Sequence, residues 1–267
     1  MKRRGLGAGI AALLIATSCA HPVRAPHIPS SGFLMRHHES VTTMGDDTTR
    51  VTLAFPEFVA TRTPEALDSL NAAVRRLVLA SWSANGGAPA RDTTQLMQQF
   101  EQEWRDERRK VGTPFGWFLD RRVSVSAETL GVVTLRFREY LFTGGAHPLP
   151  TTRFVNVEEK SGRTLRFSDL FADSLRDSLS AALVPAFRAA RGLGPDSSLG
   201  SAGFWFPDGR FRVNDNVGLG PRGVAFYFNA YEVGPYALGP TEVVGDYDAM
   251  KPFANPDGPL AKKRRGR

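Results

Sequence analysis

The groups in this chain that could move a proton or hold a ligand near neutral pH fall in two short segments. One is Tyr140-Leu141-Phe142-Thr143-Gly144-Gly145-Ala146-His147-Pro148. The other runs from Phe226 through Asn229-Ala230-Tyr231-Glu232-Val233-Gly234-Pro235-Tyr236 to Pro240. His147 is the side chain there that ordinarily titrates near neutrality, and Glu232 is the acid that would orient it as a general base. The same residues suit a structural task equally. Gly144 and Gly145 offer backbone angles at a strand end that other residues resist, and His147 would then bond nearby carbonyls or a carboxylate and lock a junction. Tyr231 and Tyr236 flank Glu232 in a loop rich in Gly and Pro, where rings serve either packing or recognition. Gly144, Gly145, His147, Asn229, Tyr231, Glu232 and Tyr236 therefore form the candidate ligand-binding set, with no residue assigned to catalysis.

Other chemistries find less to work with. His21, His27, His37 and His38 all precede the first apolar alternation, which leaves His147 alone in the expected folded body. A catalytic zinc site takes three protein ligands, usually with two or three histidines, so no metal is expected. His37-His38-Glu39 reads as solvated linker. There is no Gly-x-Ser-x-Gly elbow and no phosphate-cradling Gly-x-x-x-x-Gly-Lys-Ser/Thr loop. Asn214-Asp215-Asn216 misses calcium-loop spacing and reads as a β-turn. No cofactor is expected.

Cys19 is the only cysteine. Lys2, Arg3 and Arg4 precede an apolar run from Leu6 to Ile15, and small residues lead into Cys19. This is the layout of an export signal over residues 1–18, too short to span a bilayer as a helix. The segment resembles a bacterial lipobox, which implies that Cys19 becomes the lipidated first residue of a protein anchored in the cell envelope. Ala20 is not the aspartate associated with inner-membrane retention, so in a host with two membranes the expected home is the outer one, facing the periplasm.

The formal charge of +7 is misleading. Lys2, Arg3 and Arg4 belong to the signal, and Lys262, Lys263, Arg264, Arg265 and Arg267 to the last few residues. Subtracting those eight cations leaves the residues between them at −1, so no nucleic-acid face is expected. At 42% hydrophobic and 10% aromatic the chain can bury an ordinary core.

The elements that must position these groups follow from periodicity. Residues 19–48 carry no apolar period and read as a lipidated start and flexible tether. Val51–Phe55 alternates as a strand. Thr63 and Pro64 open a helix with Leu67, Leu70, Val74, Leu77 and Val78 on one face, ended by Asn85-Gly86-Gly87. Asp92 and Gln95 open a second helix carrying Leu96, Phe100 and Trp104. Strands are expected at Val123–Val125, Val132–Phe142, Arg153–Val157, Phe211–Val213, Val224–Phe228 and Glu242–Tyr247. A helical region from Ser168 carries Leu170, Phe171, Leu175, Leu179, Leu183 and Phe187, bent near Pro185. Pro235 and Pro240 read as turn-makers, either of which could be cis. Without regular β-α-β alternation the expected class is α+β, with mixed or antiparallel sheets and packed helices.

Three blocks carry a family likeness: Tyr140 with Thr143-Gly144-Gly145-Ala146-His147; Gly162-Arg163-Thr164-Leu165-Arg166-Phe167-Ser168-Asp169-Leu170-Phe171; and Tyr231-Glu232 with Pro235-Tyr236-Ala237 and Gly239. In order and spacing they resemble the extracytoplasmic module of lysozyme-sensing anti-sigma factors (RsiV-like), also found ahead of some peptidoglycan deacetylase domains (PdaC-like). The likeness implies two α+β halves forming one body, at 49–148 and 149–254; the cations clustered after them read as a disordered basic tail at 255–267. With eighteen residues before Cys19, no sigma-binding segment is expected. With the chain ending soon after Phe253, no deacetylase domain is expected. The resemblance implies a non-catalytic module that binds a peptidoglycan fragment or a wall-active protein such as lysozyme. The alternatives are a wall hydrolase using His147 and Glu232, and a membrane-tethered scaffold for partner proteins.

Overall fold

The computed structural model describes residues 31–82, 88–111 and 115–261. The signal segment, Cys19, the Asn85-Gly86-Gly87 helix stop and the basic cluster at 262–267 lie outside the described residues. The fold is α+β, built on two sheets. Strands β1 (Gly32–Met44), β2 (Asp47–Ala60), β3 (Phe118–Thr129), β4 (Val132–Phe142), β5 (Leu149–Glu158) and β6 (Thr164–Leu165) lie side by side in chain order. Only β2 and β3 run parallel, because the helices α1 (Pro64–Val78) and α2 (Thr93–Val111) carry the chain back between them. The second sheet, β7 (Val217–Leu219), β8 (Gly223–Phe228) and β9 (Thr241–Asp246), is antiparallel. Helices α3 (Phe167–Leu170), α4 (Arg176–Arg191) and α5 (Tyr247–Met250) accompany it.

Each sheet has its own core. Leu70, Val74 and Val78 of α1 and Leu96, Phe100 and Trp104 of α2 meet Val51, Leu53, Leu119 and Leu135 of the larger sheet. The spacing of those helical residues is what puts them on one face. The smaller core gathers Phe167, Phe171, Phe187, Phe206, Phe211, Phe226 and Phe228 around Leu179 and Leu183 of α4. The α1 start is as its sequence dictates: Thr63 accepts from the Ala66 N–H at 3.2 Å, with Pro64 in the first turn. The Thr63 hydroxyl also donates to the Glu159 carbonyl at 2.8 Å, which docks α1 on the turn after β5. Gly162 in that turn has φ +69°, and a Cβ there would lie 2.4 Å from the Glu65 carbonyl. Glycine is required on both counts. At the other end of α1, Arg121 has a fully buried side chain. It donates to the Val78 and Ala80 carbonyls at 2.6 Å and pairs with Glu139 at 2.6 Å. Burial holds its pKa below the usual arginine value, against the pull of Glu139.

Several expected features differ. Residues 32–44, read as tether, form the strand β1, paired with β2 from end to end. Their side chains are mostly exposed, so they never needed the apolar alternation by which a half-buried strand is recognised. The strand after residue 148 does not open a separate half. β5 and β6 complete the larger sheet, and the second core begins near Leu165. The region from Ser168 is broken at Phe171, which bridges to Ala254 before α4 begins. Phe211–Val213 is no strand. The Val213 N–H finds its acceptor in Ser180 Oγ of α4, at 3.1 Å. Residues 255–261, read as the start of a disordered tail, pack on the body. Leu260 is buried and the Asn255 N–H donates to the Leu170 carbonyl at 3.0 Å. No cis peptide occurs among the described residues, Pro235 and Pro240 included.

Candidate functional site

The two segments singled out by their chemistry meet at the junction of the two sheets. The segment after β4 turns through Gly144 and Gly145, with φ of +102° and +97°. A Cβ on Gly144 would lie 2.6 Å from the Phe115 ring. Phe115 is itself held from α2, since its carbonyl accepts the Trp104 indole N–H at 3.1 Å. The glycine, the ring under it and the helix behind thus fix where His147 emerges. There His147 stacks on Tyr236, ring centroids 3.6 Å apart, and shares a hydrogen bond of 3.1 Å between Nε2 and the Tyr231 hydroxyl. Its Nδ1 lies 3.3 Å from the Pro148 carbonyl, which can only accept. That contact selects the Nδ1–H tautomer and leaves Nε2 to accept from Tyr231. The Tyr236 hydroxyl donates to the same Pro148 carbonyl at 2.9 Å.

Glu232 does not join this group. Its carboxylate accepts from the Asn229 N–H at 2.9 Å and from the Asn214 side-chain amide. It closes its own loop, so the expected His147–Glu232 pair is not formed. Asn229 also turns elsewhere. Its side-chain carbonyl accepts from the Thr152 N–H at 2.7 Å, and its amide donates to the Thr152 carbonyl at 3.2 Å. Asn216 does the same one step along, accepting from the Phe154 N–H at 2.9 Å and donating to the Thr152 carbonyl at 2.8 Å. β6 covers β5 only at Asn156 and Val157, so the rest of that edge is left to these two asparagines. Two amide side chains stand in for a missing strand and weld the second sheet to the first. Arg136 of β4 adds a bidentate pair with Glu242 of β9, its shorter contact 2.6 Å, and lies 5.4 Å from the rings of both Phe154 and Tyr227.

The sequence expectations thus separate. His147, Tyr231 and Tyr236 converge; Gly144 and Gly145 shape the turn that delivers His147; Asn229 and Glu232 bond to Thr152 and Asn214 and stay out of that cluster. Trp205 was missed. Its indole N–H donates to the Glu232 carbonyl at 3.2 Å and its own N–H to the Val233 carbonyl at 3.1 Å, so it lies along the same loop. It is 52% exposed and Tyr231 51%, among the largest open apolar side chains of the molecule. The signal was there in Phe204-Trp205-Phe206, where the flanking rings are buried and the middle one faces outward. Tyr231 also has φ +68°, in the left-handed region that a non-glycine residue occupies at a cost of about 1–2 kcal/mol. Among the described residues no three His, Cys, Asp or Glu side chains are grouped as a metal site.

A two-sheet α+β body whose halves are sewn together by asparagine amides, with a ring cluster at the seam, is the class this geometry defines. Residues 43–150 match the family described as deacetylase PdaC, and residues 168–247 match a family of unknown function, DUF3298. A PdaC-like match thus precedes a DUF3298 match along the chain. It is similar in fold to a DUF3298 family member from Bacteroides fragilis, at 20% identity and a TM-score of 0.69, over 87% of this chain and 97% of that one. A DUF3298 family protein from Pseudomonas aeruginosa is similar at 20% identity and a TM-score of 0.65, over 85% of this chain and 95% of that one. No curated protein matches the chain.

Proposed function

We propose that the chain is a lipid-anchored envelope protein that binds, without transforming, a peptidoglycan fragment or a wall-active protein such as lysozyme. The observation that carries this reading is the pair of half-exposed rings, Tyr231 on its loop and Trp205 on the segment hydrogen-bonded to that loop, with Tyr231 kept in an unfavourable backbone conformation. Strained, exposed side chains on an over-determined scaffold are a mark of recognition sites. Flat apolar faces beside hydrogen-bonding edges suit the faces of sugar rings, which favours a glycan fragment as occupant. The hydrolase alternative loses support from the same geometry. Glu232 is engaged by asparagine, and His147 Nε2 already accepts from Tyr231.

The test is retention of the full chain on intact sacculi and, separately, on immobilised lysozyme. Wild-type protein is expected to be retained on one of the two, and a Tyr231→Ala, Tyr236→Ala double variant to pass through. Equal retention of both proteins would remove the ring cluster from the account. The anchor is tested on cells: Cys19→Ser should move the protein from the membrane fraction to the soluble one, and an unacylated wild-type product by mass spectrometry would contradict it.

A further inference from the structure

β1 ends the larger sheet: it pairs with β2, and among the described residues no strand pairs with its other edge. Thirteen residues expose about 40 Å of unpaired backbone N–H and C=O groups on that side. The devices that usually blunt such an edge are sparse here. There is no proline or lysine in the strand, and its one irregularity falls at the very start, between Gly32 and Phe33. From His37 to Val41 its odd-numbered face is the more open one. Met35, His37, Glu39 and Val41 are all exposed, Met35 at 44% and Val41 at 50%; on the other face His38 and Ser40 are half-buried, while Leu34 and Arg36 near the strand start are exposed. Read along the strand the odd-numbered face runs apolar, basic, acidic, apolar, a pattern complementary to its own reverse.

We propose that β1 pairs antiparallel with β1 of a second copy, about a two-fold axis at His38, so that two larger sheets become one continuous sheet. A two-fold axis normal to a sheet keeps each face on its own side, so odd residues must meet odd residues. With the axis at His38, Met35 stands opposite Val41 and His37 opposite Glu39, each pair occurring twice. Neighbouring registers are worse. An axis at His37 sets Met35 against Glu39; one at Glu39 sets two carboxylates together; one at Arg36 sets two guanidinium groups together. The present partners do not hold these groups back: Glu39 has Arg50 at 3.7 Å, an exposed and therefore weak pair, while Arg36 pairs with Glu57. It is this charge and apolar complementarity that selects a second copy as the occupant. The proposal does not depend on the ring cluster binding anything.

The experiment is sedimentation velocity on the full chain in a Cys19→Ser background, which removes accidental disulfide dimers. A concentration-dependent dimer is expected. His37→Glu sets like charges opposite each other twice and should weaken it about tenfold. The swap variant His37→Glu, Glu39→Lys restores opposite charges in the same register and should recover the dimer. Circular dichroism checks that these surface variants stay folded. A chain that remains monomeric, a dimer indifferent to His37→Glu, or a swap that fails to rescue would each overturn the proposal.

Discussion

Tyr231 is where the demands of folding and of the proposed recognition part. Its ring is half open to solvent, its hydroxyl is tied to His147, and its backbone sits where glycine would be at ease. If the residue served stability alone, glycine would be the better choice for the backbone. Tyr231→Gly should therefore leave the free energy of unfolding within about 1 kcal/mol of wild type, since relief of the left-handed strain offsets the lost ring contacts. The same variant should lose retention on the ligand. Denaturant unfolding and retention measured on one preparation check both halves, and a variant that keeps binding would make Tyr231 mere packing. At this scale the sequence was informative about the rings and His147 and poor about the amides. Asn229 and Glu232 stand three residues apart in a Gly/Pro-rich loop, yet one bonds Thr152 and the other Asn214. Side-chain partners of asparagine so distant in the chain leave no periodic trace. Trp205 could have been found from the alternation of its neighbours.

Elements that bury one face were legible, and those that do not were lost. The start of α1 announced itself through Thr63 and Pro64, whereas β1, which buries little, offered no alternation at all. Phe211–Val213 alternates like a strand, but its Val213 N–H donates to a helix serine, which no local pattern reveals. The short helix α3 shows how a motif seen in sequence acquires a physical cause. Asp169 accepts from the Arg166 N–H at 2.7 Å and from the Arg163 guanidinium, so it fastens the residues on either side of β6 to the helix. Burial alone would raise its pKa, but these two partners outweigh burial and hold it below the ordinary aspartate value. Because the folded pKa lies below the unfolded one of about 3.9, the stabilisation is complete above that pH and is lost as pH falls through the folded value. Asp169→Asn should thus cost about 1–2 kcal/mol at pH 7 and progressively less below pH 4. Urea unfolding of both proteins across that range checks it, and a pH-independent difference would contradict the assignment.

The whole molecule is a shape shared with DUF3298 proteins of distant sequence, given a seam that this chain closes with Asn216, Asn229 and the Arg136–Glu242 pair. The α+β class and the two-block order could be read from the chain. The way β5 and β6 complete the first sheet could not, because the boundary between sequence blocks falls inside a hairpin while cores are defined by what the strands cover. The function proposed for the molecule rests on the rings that open at this seam. The most direct test is calorimetric titration of the full chain with soluble muropeptides and with lysozyme. Saturable heat is expected with one of the two, together with at least a ~10-fold weaker Kd in the Tyr231→Ala, Tyr236→Ala variant. No heat with either ligand, or a variant that binds as tightly as wild type, would contradict the account.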